Sequence, residues 1–323
     1  MTTQECTTAT TDSVTAAAPV RRRAYWHTAG SLAVVLTAGF LAHHHWPVLR
    51  SGAARLAVAD QGWLLVGAAA TLLTWACSAL AQQGAVAEAL PAGRLVAVQI
   101  AASAANHVLP AGVGAGAVNM RFLMRRGVPA ARAATALGVK AAASALVRGA
   151  LIAVLALACP GVLQMPRIPP VGLTVPLAVA VVVALLLRTP LGPRCRGALA
   201  AVRADIRRVH TRPARAAALW GGSLAFALLH AVVLIAVTQA IALPLPPARV
   251  ALLYLAASSA AALLPTPGGL GSLDAVLAIA LTAAGAPTAA AASAVLGYRL
   301  LTVWLPLVPG LLVLGVLLRR RAL

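Results

Sequence analysis

The chain has 323 residues, is 61% hydrophobic and 10% charged, and has a mean hydropathy of +0.90, which excludes an ordinary soluble domain and predicts an integral membrane protein. Its 26 basic and 6 acidic residues give a net charge of +20, but the basic residues lie between apolar runs, so membrane orientation and anionic headgroups account for them and nucleic acid does not. Cys6, Cys77, Cys159 and Cys195 are scattered without Cys-x-x-Cys spacing, a pattern that offers no disulfide framework, zinc site or redox chemistry.

Residues 1–20 are rich in Thr and Ala, lack an apolar face and read as a disordered tail. Arg21, Arg22 and Arg23 then precede an apolar run at 29–49. No small-residue cleavage site follows before His43-His44-His45-Trp46, so the run reads as an uncleaved anchor with its N-terminus in the cytoplasm. The three histidines point about 100° apart on a helix and do not converge on a metal. A second span covers 63–82 and returns through Glu88, Pro91 and Arg94 to the cytoplasm.

Residues 95–109 form the next apolar run. As a helix it reaches roughly 22 Å, against a hydrocarbon core of roughly 30 Å. It ends in Leu109-Pro110-Ala111-Gly112-Val113-Gly114-Ala115-Gly116, and residues 117–124 lead into Arg125-Arg126-Gly127. With basic charge at both ends, 95–124 is predicted to be a re-entrant hairpin from the cytoplasm. A span at 133–158 contains Lys140 and Arg148, and a span at 171–187 crosses back. Residues 188–215 hold eight arginines against Asp205 and form the strongest cytoplasmic marker, with a basic interfacial helix at 198–209.

Residues 219–243 cross outward, and His230 within them reads as a core polar contact. Residues 250–264 are again too short to span and end in Leu264-Pro265-Thr266-Pro267-Gly268-Gly269-Leu270-Gly271-Ser272-Leu273-Asp274. In lipid such a break is tolerated only where protein buries it or it lines a watery cavity, so it reads as a pathway or site. Residues 272–284 complete a second hairpin, entering from outside, and end at Gly285-Ala286-Pro287. Residues 289–318 cross inward, bent at Pro306 and Pro309, and Arg319-Arg320-Arg321 stay in the cytoplasm. Trp26, Trp46, Trp63 and Trp304 read as interface or packing aromatics.

A shift of 155 residues lays Pro110 on Pro265, Gly114 on Gly269, Gly116 on Gly271 and Asn119 on Asp274. A shift of 158 lays Gly127-Val128-Pro129 on Gly285-Ala286-Pro287. The predicted fold is therefore an all-α polytopic membrane protein with about six full spans plus two re-entrant broken-helix hairpins. These eight membrane segments form one domain, 21–323, with inverted repeats at 61–158 and 216–318 joined across the basic linker 188–215. Of the 26 basic residues only Arg50, Arg55, Arg167 and Arg249 fall outside and only Lys140, Arg148 and Arg299 inside the membrane, as the positive-inside rule requires. Inverted repeats with broken helices point to an alternating-access carrier.

Pro267-Gly268-Gly269-Leu270-Gly271 followed by an acid, then Gly285-Ala286-Pro287 and Tyr298-Arg299-Leu300, resemble the second-half signature of the lysylphosphatidylglycerol synthase transmembrane-region family, also called flippase-like. Asn106, Leu109-Pro110, Arg121 and Arg125-Arg126-Gly127-Val128-Pro129 are similar to its first half, so the resemblance covers residues 25–321. Family members usually carry a Glu where Asp274 stands and an acid in the first break, where this chain has only residues 117–119. Lysyl-transferring members continue into a soluble aminoacyltransferase domain, whereas this chain stops at Leu323. The resemblance implies lipid translocation and does not imply lysyl transfer.

Three intramembrane cations, Lys140, Arg148 and Arg299, against one acid, Asp274, favour an anionic cargo. Lys140, Ser144 and Arg148 lie on successive turns and share a helix face. Two readings remain open for the arginines, which either face cargo or serve structure: both can snorkel, and Arg299 can pair with Asp274. Asp274, near the start of a half-helix, either caps it or couples protons. Asn106, His107 and Asn119 around the first break either line a headgroup pocket or satisfy freed backbone groups. With Arg121 and Tyr298 from the resemblance and Pro267, Gly268, Gly269 and Gly271 from the second break, these form the candidate binding site.

The expected function is a flippase-like carrier moving an anionic phospholipid or a polyprenyl-phosphate-linked lipid between leaflets of a bacterial inner membrane, with both termini cytoplasmic and no cofactor. Homo-oligomers are compatible with the alanine-rich spans. An accessory membrane subunit is the alternative. A glycosyl or lipid transferase is disfavoured by the absence of an Asp-x-Asp motif and the paucity of carboxylates.

Overall fold

The computed structural model describes residues 54–108, 113–158, 204, 207, 210–262 and 271–320, which belong to a unit bounded by Ser51 and Leu323. The expected tail, the spans at 29–49 and 171–187, most of the basic linker and the Pro/Gly centres at 109–112 and 263–270 lie outside the described residues. Among the described residues all regular structure is helical.

Helix α1, Gln61–Ala85, starts at Asp60, whose Oδ1 accepts the N–H groups of Gly62 (2.7 Å) and Trp63 (3.2 Å). Helices α2, Ala92–Val108, and α3, Gly114–Arg125, follow, then α4, Ala130–Ala158. Helix α5, Pro213–Ala240, opens on a proline, which costs nothing where the N–H has no partner. Helices α6, Pro247–Ala262, and α7, Ser272–Ala283, precede α8, Thr288–Arg299, which continues through a π-helical turn at Leu300–Trp304 into α9, Leu305–Arg319.

Four of these stretches are long and apolar enough to cross a membrane: α1 (25 residues), α4 (29), α5 (28) and the continuous 288–319 rod (32). The other four have 17, 12, 16 and 12 residues, each shorter as a helix than a hydrocarbon core of roughly 30 Å. Long, short, short, long thus occurs twice in chain order. Helices α3 and α7 also end alike. Gly127 (φ 80°) and Gly285 (φ 98°) adopt the left-handed conformation, and Val128 N–H reaches Leu123 O (3.1 Å) as Ala286 N–H reaches Leu281 O (3.0 Å). Pro129 and Pro287 then open the next helix.

Helix α3 folds back on α2. A side chain at Gly114 would strike the backbone of Ala105, and farther along the Gln99 amide donates to Asn119 Oδ1 at 2.8 Å, so the pair runs antiparallel. Helix α1 crosses α5 just as closely. A Cβ on Gly222 would lie 2.6 Å from Ala81 N and 2.8 Å from Cys77 O, the approach that small residues permit between membrane helices. Buried side chains gather in two clusters, one around α5 to α8 and one around α1 to α4 with α9 against it. Large apolar residues such as Leu72, Leu157 and Leu312 stay exposed, as on a surface solvated by lipid tails.

The irregularity in the last rod precedes the prolines expected to bend it. Leu305 N–H bonds to Leu300 O, five residues back, so the π turn takes up the distortion just before Pro306, which has no N–H to give.

Candidate functional site

A cavity of about 400 Å³ lies among the helices, and its lining is polar although the helices are not. On α1, Thr71, Thr74, Trp75 and Ser78 recur once per turn and form one wall; Gln99, Ser103 and Asn106 do the same on α2. Arg148 enters from α4, His230 from α5, Tyr254 and Ser258 from α6, and Tyr298, Arg299 and Thr302 from the last rod.

One end of the site is a hydrogen-bonded chain through four helices. Lys140 Nζ donates to Ser78 Oγ (3.0 Å) and Gln99 Oε1 (3.3 Å), and Ser78 Oγ also donates to Gln99 Oε1 (2.8 Å). Gln99 Nε2 passes the chain to Asn119 Oδ1, and Asn119 Nδ2 ends it on Ala115 O (2.8 Å). Gln99 and Asn119 are each 5% exposed, so these bonds replace water. Lys140 makes no ion pair with a carboxylate among the described residues.

The other end is built around the second half-helix. Arg299 Nε pairs with Asp274 Oδ1, and Asp274 Oδ2 accepts the Gly271 N–H (3.0 Å), which tethers the first turn of α7 to α8. The arginine side chain is 10% exposed and the aspartate 31%, so the pair sits partly buried at the edge of the cavity. Both structural readings of Asp274 are therefore met at once, as a partner for Arg299 and as the third residue of α7 closing on its cap. Beside it, Tyr298 donates to the Tyr254 hydroxyl (3.0 Å), Tyr254 stacks near His230 (6.3 Å, 16°), and His230 lies 4.5 Å from the Phe226 ring.

Of the residues singled out from sequence, Asn106, His107, Arg148, Tyr298 and Arg299 line the cavity. Lys140 and Asn119 reach it through Ser78 and Gln99, and Gly271 and Asp274 hold Arg299. Arg121 is exposed and outside the lining, whereas Pro267, Gly268 and Gly269 lie outside the described residues. The shared face of α4 points inward along its length, with Ser144 donating to Ser223 Oγ (3.4 Å) between Lys140 and Arg148.

Sequence reasoning passed over Ser78, Gln99, Thr74, Tyr254 and Ser258. Their signal was helical spacing of polar residues inside apolar spans, Thr71-Thr74-Ser78 on α1 and Tyr254-Ser258 on α6, which intramembrane charge overshadowed.

The arrangement places the Arg148 guanidinium, the Arg299 guanidinium paired with Asp274, and a hydrogen-bonded ammonium around a cavity set within apolar helices. Arginine forks and a lysine point charge are the donors that recognise phosphate. A search of curated proteins found no match. The family described as lysylphosphatidylglycerol synthase TM region matches residues 29–310. The chain accordingly belongs to the lysylphosphatidylglycerol synthase transmembrane-region family and is a multi-pass integral membrane protein.

Proposed function

We propose that this protein is a flippase-like carrier that takes the phosphate of an anionic lipid, or of a polyprenyl-phosphate-linked lipid, between the leaflets of a bacterial inner membrane. The observation that carries this reading is the convergence of Arg148 and Arg299 on one polar cavity, with Lys140 tied to its wall. Among the described residues one carboxylate, Asp274, balances them at the site. An intramembrane cation costs a few kcal/mol unless it is paired or hydrated, and a bound phosphate supplies the missing charge.

The recurring order of long and short helices and the matching glycine turns after α3 and α7 support an inverted repeat with two re-entrant hairpins. The distribution of basic residues supports cytoplasmic termini. We read the chain as a carrier rather than an enzyme, because Asp274 is committed to Arg299 and no second carboxylate joins it among the described lining residues for acid–base chemistry.

Leaflet exchange of fluorescent anionic and zwitterionic lipids in proteoliposomes tests the proposal. Exchange selective for anionic lipid is expected, reduced at least tenfold by Arg299→Ala and by Lys140→Met in variants that remain monodisperse. A well-folded protein that moves no lipid across a broad panel would instead be an accessory subunit, docking through its basic segment 188–215. Product formed from a labelled donor would indicate a transferase.

A further inference from the structure

We propose that the last membrane rod is hinged where it passes the cavity, at residues 300–309, and that α9 swings there against a frame of three continuous rods, α1, α4 and α5.

The two buried clusters are arranged along the rods. Helix α1 gives Ala70 to one cluster and Ala79 and Ala85 to the other. Helix α4 packs Leu151 and Ile152 against the first and buries Ala136 and Ala143 in the second, and α5 gives Leu234 to the first and Leu219 to the second. The last rod follows the same rule, with Tyr298 and Leu301 in the first and Val313 and Leu317 packed against the second. The short helices do not cross, since α6 and α7 belong to the first and α2 and α3 to the second. Every long stretch thus passes a boundary between clusters. The cavity sits at that level, because Thr74, Arg148, Phe226 and Thr302 lie between the two sets on their respective rods.

Three rods pass the boundary as unbroken α-helix. The fourth passes it in the π turn Leu300–Trp304, followed by Pro306 and Pro309, which have no N–H to close the helical ladder. Thr302 Oγ1 also donates to Tyr298 O (2.7 Å), a back-bond that bends helices. On either side of this joint the rod is held by a different partner. A Cβ on Gly297 would lie 2.6 Å from Val237 Cγ1 of α5, and one on Gly310 would lie 2.6 Å from Ala104 Cβ of α2. Helix α8 therefore stays with the frame, whereas α9 moves with the α2–α3 hairpin. The bonds from Ser78 and Lys140 to Gln99 Oε1 latch that hairpin in its present position.

Room for the swing lies beside the joint. Among the described residues an apolar gap of about 520 Å³ separates Ala68, Leu72 and Trp75 on α1 from Trp304, Leu305 and Val308. Leu72 and Trp304 are 56% and 61% exposed, so the gap is open to lipid tails, which yield to a moving helix. Thr71 and Trp75 line both the gap and the cavity, so movement at the joint alters the cavity wall itself.

The test is a pair of spin-label distances in full-length, cysteine-free protein in lipid nanodiscs. Leu80→Cys with Leu318→Cys reports α9 against α1, and Leu65→Cys with Thr288→Cys reports α8 against α1, all four at exposed positions. Helix α9 has 15 residues, roughly 22 Å, and a bend of about 20° displaces its far end by about 8 Å. The α9 pair is expected to give a distance distribution wider than the α8 pair by several ångströms. Pro306→Ala with Pro309→Ala restores the missing N–H groups and is expected to narrow it, whereas Gln99→Leu removes the latch and is expected to widen it further. An α9 distribution no wider than the α8 one overturns the proposal, as does a width that neither variant alters. A moving α9 in a protein that exchanges no lipid upholds the hinge and removes the carrier function. Exchange by a protein with a rigid joint does the reverse.

Discussion

Arg299 and Asp274 lie 25 positions apart in the chain and meet as an ion pair that fastens the start of α7 to the end of α8. Because the aspartate is about one third exposed, the pair is worth less than a fully buried one. Asp274→Asn and Arg299→Gln are expected to be non-additive, with a coupling of about 1–3 kcal/mol in a double-mutant cycle read from thermal unfolding in detergent. Additive losses would mean the two side chains act separately. Gln82 makes the opposite case. It is fully buried on α1, one turn past Ser78, and neither its Nε2 nor its Oε1 has a partner among the described residues. An unmet buried amide costs about 1–3 kcal/mol, so Gln82→Leu is expected to raise the unfolding temperature. A fall would reveal a partner for that amide, such as bound water.

At the scale of elements, helix contact is set by glycines that differ sharply although adjacent. Gly222 faces the α1 backbone with no room for a Cβ, whereas nothing lies within 4 Å of where a Cβ on Gly221 would stand. Gly222→Ala is expected to destabilise by about 1–3 kcal/mol, because the clash is with backbone and cannot be relieved by a rotamer change. Gly221→Ala should be neutral or stabilising by up to about 1 kcal/mol, the helix-propensity gain of alanine. Equal effects of the two in a thermal scan would contradict the close crossing of α1 and α5. The half-helices show how a local sequence makes an element. Gly127-Val128-Pro129 and Gly285-Ala286-Pro287 stop one helix with a left-handed glycine and begin the next with a proline, and the shift of 158 residues that aligns them in the sequence aligns the same hydrogen bonds in the fold.

For the whole molecule, the proposed inverted topology makes a prediction that no single helix makes. In a cysteine-free background, Arg126→Cys after α3 and Thr288→Cys after α7, both at exposed positions, should be labelled by a membrane-impermeant thiol reagent from opposite sides, the first from the cytoplasm. Labelling from one side would leave the repeats parallel and remove the structural basis for alternating access. At this scale too the cavity is shared. Among the described residues it draws side chains from α1 through α8 and from the π turn, from Thr71 on α1 to Thr302, so relative movement of the helices would change its lining.

The sequence by itself determined that the chain is membrane-embedded and helical, where the four long apolar helices of the described residues run, where glycine and proline end α3 and α7, and which cations lie within those apolar helices. Each of these is a local property: hydropathy over about 20 residues, a missing N–H, a left-handed glycine, a charge in an apolar run. Lys140, Arg148 and Arg299 were legible as candidates for that reason, and the fold brings Arg148 and Arg299 to the cavity and ties Lys140 to its wall. Only the tertiary structure decided which polar groups meet, because that depends on how helices rotate and cross. Lys140 bonds to Ser78, 62 positions away, and to Gln99, 41 positions away; Tyr298 finds Tyr254 on another helix. Arg121, which carries the same charge, points outward. Charge alone does not state which way a side chain faces, and it is the packing of glycines such as Gly222 and Gly114 that sets those faces.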